Sequence, residues 1–177
     1  MKKKILLYGD LTLNIVDGSS VWLASIAKLL SEDENNVVDI LLKEKINNYV
    51  LADELLFRKN ISLLESSEYL AKAKTVDTDN IVDVMKKIDS MRDYSCIIVR
   101  GFEAVQAIVK DDYLASKLIP YITNFCHDKN AITEKEKSEL LNVYNKTNQF
   151  FVQTVQMKEY LKDVLNIDGE KFQLLNP

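Results

Sequence analysis

A chain of 177 residues is long enough for one ordinary domain with a substantial core, and short for two. Apolar residues make up 47% and charged residues 28%, the balance of a soluble globular protein, while only two prolines and four glycines exclude collagen-like, proline-rich and glycine-linker chains. The 23 basic residues are outnumbered by 27 acidic ones, a net charge of −4 that argues against a dedicated nucleic-acid binder.

Behind the basic start Lys2-Lys3-Lys4, the apolar run Ile5-Leu6-Leu7-Tyr8 is too short for a signal-peptide core or a membrane span. Lys4 to Tyr8 reads instead as a strand buried on both faces and closed by Gly9-Asp10. Trp22, Ile26, Leu29 and Leu30 then fall at helical spacing, and that helix ends in the polar cluster Ser31 to Asn36. Val37 to Leu42 is a second strand, residues 47–57 are helical with weak caps, and Asn60 to Leu64 is a third strand. Thr78-Asp79-Asn80 precedes Ile81, Val84, Met85, Ile88 and Met91, the clearest helix pattern in the chain.

Tyr94 to Arg100 reads as another buried strand, broken by Gly101, with a short helix over Phe102 to Val109. Leu118 to Phe125 follows as a strand that Pro120 marks as near an edge or late to begin. Thr133-x-x-Glu136 has the form of a capping box, with Leu140, Leu141, Val143 and Tyr144 on one side of the helix it opens. Gln149 to Gln153 is a strand, Val155 to Leu165 a helix stopped near Gly169, and Lys171 to Leu175 the last strand. Seven strands with helices between them make a βαβ series. Right-handed crossovers turn such a series into a mostly parallel, doubly wound Rossmann-like sheet covered on both faces. The pattern predicts a single α/β domain without repeat or linker. Cys96 and Cys126 lie in or beside apolar segments without metal-type spacing, which suits reduced, buried thiols of a cytoplasmic protein.

In an open α/β sheet, ligands bind beyond the carboxyl ends of the strands, so the residues after each strand carry the chemistry. After the first strand comes Asp17-Gly18-Ser19-Ser20, leading into the Trp22 helix. Gly18 allows close backbone approach, and free N–H groups at a helix start favour a phosphate. Asp17, Ser19 or Ser20 acting only as a cap explains the same residues. No G-x-G-x-x-G and no G-K-S or G-K-T occurs, which disfavours a dinucleotide-binding or P-loop enzyme. Arg100, directly before Gly101, suits a carboxylate or phosphate, or a surface ion pair with Glu103 or Asp112. The single histidine, His127, followed by Asp128, stands where a binding residue or a packed structural one would stand equally well. One histidine without clustered cysteines makes a zinc site a poor fit, and no metal is expected.

The ordered set of motifs resembles the amino-terminal domain of GT-B glycosyltransferases of the GT4-like group. It comprises Asp17-Gly18-Ser19-Ser20-x-Trp22, the strand ending Arg100-Gly101, Ile119-Pro120-Tyr121-Ile122-Thr123 leading to His127-Asp128, and Gln153-Thr154-x-x-Met157-x-x-Tyr160-Leu161. The closing segment Glu170 to Pro177 is similar to the point where that domain ends, so the resemblance covers nearly the whole chain. It implies that residues 1–177 form an acceptor-side Rossmann-like domain whose carboxyl-terminal nucleotide-sugar domain lies outside this chain. The implied activity is transfer of a sugar, with retention, from a nucleotide-diphosphate sugar to the hydroxyl of a carbohydrate, lipid or protein acceptor. Bacterial surface glycan or glycoconjugate synthesis is the implied setting, with no cofactor.

By the same resemblance His127 is catalytic and faces the transferred sugar, whereas Gly18, Ser19, Ser20, Arg100 and Asp128 touch donor or acceptor. A half-enzyme of this kind is expected to show little or no turnover alone. A different class of function, a non-catalytic partner domain that stabilises or targets a catalytic chain, fits the same fold. A receiver-type or small-ligand domain lacks its acidic cluster, since Asp10 stands alone after the first strand. Lys2 to Lys4 could touch the inner face of an anionic membrane or simply form a solvated terminus.

Overall fold

The computed structural model describes residues 2–70, 74–123 and 132–175. Seven strands form one parallel sheet: β1 (Lys3–Tyr8), β2 (Asn36–Leu41), β3 (Ile61–Leu64), β4 (Cys96–Arg100), β5 (Leu118–Ile122), β6 (Phe150–Val152) and β7 (Phe172–Leu174). Their order across the sheet is β3-β2-β1-β4-β5-β6-β7, with every neighbouring pair parallel. The inner strands β1, β2, β4 and β5 bury both faces over most of their length, which is why these segments read as continuous apolar runs rather than alternations.

The chain first winds outward from β1 through α1 (Gly18–Leu30) and α2 (Val50–Leu56) to β3. It then crosses back through α3 (Ile81–Arg92) to β4 and winds the other way through α4 (Phe102–Ile108), α5 (Asp112–Lys117), α6 (Glu134–Lys146) and α7 (Val155–Leu165). Because crossovers are right-handed, reversing the direction of winding moves the helices to the opposite face. Trp22, Leu23 and Ile26 of α1 and Leu51 and Leu55 of α2 therefore pack with Ile5 and Leu7. Apolar residues of α3 to α7 pack with Leu6 and Tyr8 on the other side. The doubly wound α/β architecture expected from the sequence is the one observed.

Three local expectations change. Pro120 sits in an interior strand, paired with Val99 of β4, but the ladder with β6 begins only at Tyr121. The residue without an N–H thus stands where β5 still has a neighbour on one side only. Met91 is 60% exposed, because the buried stripe through Ile81, Val84, Met85 and Ile88 leads to Arg92 instead. Arg92 donates to the buried Asp39 carboxylate of β2 at 2.9 Å, and Tyr94 Oη donates to the same oxygen at 2.6 Å. Leu141 lies at the rim of its helix's buried face rather than within it. The two capping motifs formed as the residues suggest: Thr133 and Glu136 close a reciprocal box, and Thr154 accepts from Met157 N at 3.0 Å.

Helix α5 was not expected from the sequence. Asp111 caps it through Leu114 N, and a single buried carboxylate on α3 holds it in place. Asp89, 1% exposed, accepts from Tyr94 N (2.9 Å), Tyr113 Oη (2.5 Å) and Lys117 Nζ (2.9 Å). Burial alone would raise the Asp89 pKa, but the hydrogen bonds from Tyr113, Lys117 and the Tyr94 amide outweigh it and hold the carboxyl below its ordinary value. A folded-state pKa below the unfolded one adds stability that is present above about pH 4 and is lost as pH falls through the folded value. Asp89→Asn leaves the Lys117 charge without its buried partner and is expected to destabilise the protein by about 3 kcal/mol in urea unfolding at pH 7. The same variant should show a flatter loss of stability below about pH 4 than the parent, since the titrating group is gone.

Candidate functional site

Strands β1 and β4 lie side by side, yet β1 leads to α1 on one face and β4 to α4 on the other. The two connections part beyond the carboxyl ends, and ligand crevices open at such points in α/β sheets. A pocket of about 140 Å³ occupies this place, lined chiefly by Gly9, Asp10, Arg100, Gly101, Tyr121 and Thr123. A larger cavity, about 810 Å³, lies at the opposite edge, beside Lys2, Asn35 and Asn60 at the amino ends of β1 to β3. Part of its polar lining ties elements together. Arg58 donates to Ser31 Oγ at 3.1 Å, and the Asn60 amide donates to the carbonyls of Ser31 and Asn36. Lys2 to Lys4 belong to that distant edge as well, where Lys4 Nζ donates to Arg92 O.

Arg100 ends β4 half-buried, with its guanidinium 5.2 Å from the centre of the Trp22 ring. Trp22 in turn leans on Tyr121 of β5, ring centres 4.6 Å apart. Arg100 Nη2 donates to Ser19 Oγ at 3.1 Å and Nε to Thr123 Oγ1 at 3.2 Å. Two of the five N–H donors of a guanidinium are thus used, and no carboxylate of the described residues is within ion-pair distance. Asp112 pairs with Lys146 instead, so the surface ion pair considered for Arg100 does not form with it. Burial pushes the Arg100 pKa below its ordinary value, opposed by Tyr121, Asp17 and Asp10, and at neutral pH the group stays charged. A half-buried guanidinium with N–H donors to spare has the chemistry to accept an anion.

The loop before α1 behaves differently from an open anion cradle. Asp17 caps the helix, its Oδ1 accepting from Ser19 N (2.9 Å) and Ser20 N (2.8 Å). That carboxylate already fills the place a phosphate would take, and its pKa is lowered first by the Ser20 amide. Ser20 is fully buried and its hydroxyl accepts from Asp17 N and donates to Asp17 O, so it serves the cap rather than the pocket. Ser19 turns to Arg100, and Gly18 stands exposed with open space around its α-carbon. The structure therefore brings Gly18, Ser19 and Arg100 to one rim. His127 and Asp128, like Cys126, lie outside the described residues.

Sequence reasoning passed over Asp10 and Lys43. Asp10 adopts φ 47, unusual for a residue with a side chain, and its Oδ1 accepts from Tyr8 Oη (3.1 Å) and Lys43 Nζ (2.8 Å). Desolvation, then the Asp10 charge and hydrogen bond, push the Tyr8 pKa well up, so its hydroxyl remains a donor. The available signal was positional: Lys43 follows Leu42 just past the end of β2, the strand beside β1, as Asp10 follows β1. Asp10 also abuts Gly101, whose φ is 111, and a Cβ there would stand 2.9 Å from the Asp10 Cβ. Among the described residues no group of three or more His, Cys, Asp or Glu side chains could hold a metal ion, and no helix is long and apolar enough to cross a membrane.

The fold has counterparts among solved structures. Anabaena Alr3699/HepE in complex with UDP and glucose is similar over 98% of this chain and 44% of its own, with TM-score 0.55 and 10% identity. The fold is that of a GT-B half. TcCGT1 in complex with UDP matches over 100% of this chain and 51% of its own (TM-score 0.55, 11% identity). Phytolacca americana UGT2 with UDP-2-fluoro-glucose and pterostilbene matches over 100% and 54% (TM-score 0.53, 12% identity). The chain spans about half the length of each. No protein-family model matches the sequence, and no curated protein matches it.

Two glycines at this rim should respond in opposite ways. Gly101→Ala forces a side chain onto a left-handed backbone against Asp10 and is expected to cost about 1–3 kcal/mol in chemical denaturation. Gly18→Ala meets no atom and rigidifies the first turn of α1, so its stability should equal or exceed that of the parent by up to about 1 kcal/mol.

Proposed function

We propose that this chain is the amino-terminal, acceptor-side half of a glycosyltransferase that moves a sugar from a nucleotide-diphosphate sugar to an acceptor hydroxyl. In this reading transfer proceeds with retention, as in the GT4-like group, and contributes to a bacterial surface glycan or glycoconjugate. The observation that carries the proposal is Arg100 in the crevice between β1 and β4, with no carboxylate in contact among the described residues. The likeness in fold to three structures holding UDP or a UDP-sugar analogue supports it.

Departure of a nucleoside diphosphate develops negative charge, and a fixed cation in a partly dry site stabilises that charge without reorganising. Arg100 would supply it, held by Ser19, Thr123 and the Trp22 ring. Gly18 and Ser19 would border the donor or acceptor, and His127 with Asp128 would face the transferred sugar. Ser20 leaves this group, since its hydroxyl belongs to the helix cap. A second domain, carrying most nucleotide contacts, would close the cleft from the other side.

Residues 1–177 alone are expected to consume UDP-glucose at no more than the background rate, in a coupled assay for released UDP. Joined to its second domain, the chain should turn over, and Arg100→Met or His127→Ala should each lower kcat/KM by about 10²-fold or more. Robust turnover by 1–177 alone overturns the half-enzyme reading. Failure of the joined protein to bind any nucleotide sugar would make the chain a non-catalytic partner domain.

A further inference from the structure

The crevice holds two opposite charges that do not neutralise each other. Asp10 and Arg100 line the same pocket, yet Asp10 pairs with Lys43 and Arg100 bonds only to hydroxyls among the described residues. Asp10 holds φ 47, a left-handed conformation that Asp and Asn tolerate better than other residues with side chains. Here Tyr8 and Lys43 hold it from one side, both on Oδ1, and Gly101 makes room on the other. Oδ2 has no hydrogen-bond partner among the described residues and faces the space at Gly101, 3.4 Å from where a Cβ would stand. One carboxylate oxygen is thereby anchored while the other is left to accept a bond.

We infer that this crevice is a two-point site for a small ligand bearing a hydroxyl beside an anionic group, with Asp10 Oδ2 accepting from the hydroxyl and Arg100 holding the anion. Because Lys43 already balances the Asp10 charge, Oδ2 suits a neutral donor rather than a second cation. A volume of about 140 Å³ equals that of four or five waters, room for a phosphate and a short polyol stem rather than a whole nucleotide. Resting on the reading of this rim as the acceptor side, the ligand is the anionic, hydroxyl-bearing end of the acceptor. The same chemistry occurs in the ribose and phosphates of a donor, and the experiment separates the two.

The ¹⁵N-labelled chain is titrated with glycerol 3-phosphate, inorganic phosphate, glycerol and UDP, following amide shifts. Glycerol 3-phosphate is expected to bind at least about tenfold tighter than phosphate or glycerol, with shifts centred on residues 9–10 and 100–101. That tenfold corresponds to about 1.4 kcal/mol, one hydrogen bond to a charged group. Asp10→Asn should abolish the preference for glycerol 3-phosphate over phosphate, leaving phosphate affinity unchanged or higher, since the Lys43 charge is then unbalanced. Arg100→Gln should weaken both phosphate-bearing probes by tenfold or more. Asn is at home in the left-handed region, and Asp10→Gly, which accepts that backbone freely, is the second variant. It should lose the preference while still unfolding in one cooperative transition, its Tm lowered by the lost bonds from Tyr8 and Lys43.

Equal affinity for glycerol 3-phosphate and phosphate, a preference that survives both Asp10 variants, or shifts centred on residues 31–35 and 58–60 overturns the inference. UDP displacing glycerol 3-phosphate with the same dependence on Asp10 overturns the acceptor assignment in favour of the donor. An intact preference in a protein that, joined to its second domain, binds no nucleotide sugar removes the transferase reading and leaves the two-point site standing.

Discussion

Everything at the rim follows from the parting of two adjacent parallel strands. β1 and β4 are hydrogen-bonded neighbours through Tyr8 and Val99, and one residue later their chains must turn to opposite faces of the sheet. Asp10 and Gly101 sit at that parting and press together, both with positive φ. A side chain can be accommodated on one of them only. The sequence carries it on Asp10, where Tyr8 and Lys43 hold the carboxylate, and leaves glycine at 101. Parallel strands flanked by right-handed crossovers require a reversal somewhere in the sheet, and the crevice is its geometric consequence.

Charged groups elsewhere in the molecule serve to define the Arg100 environment by contrast. Asp89 is buried as deeply as any core residue, and its two oxygens are matched by an amide, a phenol and an ammonium that join α3 to α5. Arg92 finds Asp39, and Lys43 finds Asp10. Each of these cations has a carboxylate in contact, although Asp39 Oδ1 and Asp10 Oδ2 have no hydrogen-bond partner among the described residues. Arg100 is held by two hydroxyls and an indole face, but without an opposite charge in contact among the described residues. The distinction sets Arg100 apart from the other cations by its surroundings, independently of cavity size. The cavity of about 810 Å³ lies at the amino ends of β1 to β3, where Arg58 and Asn60 bond to Ser31 at the end of α1.

Much of the architecture was legible in the residues. Continuous apolar runs separated by amphipathic stretches foretold all seven strands to within two or three residues at either end, together with the parallel, doubly wound sheet. Capping at Thr133 and Thr154 was legible because a cap depends on neighbours three residues away. Helix α5 was not, since six residues carry little periodicity and its anchor, Asp89, lies more than twenty residues upstream. Likewise the Ser20 hydroxyl could equally have faced a ligand or a cap, and only the packed structure turned it inward.

Local chemistry therefore determined where the chain extends, where it coils and which residues follow each strand. The tertiary structure alone decided that Ser19, seated on α1, meets Arg100 at the end of β4, eighty-one residues later, and that Lys43 meets Asp10. Those contacts depend on which strands become neighbours and on which face each crossover lies. Both are properties of the assembled sheet, to which no short stretch of sequence has access.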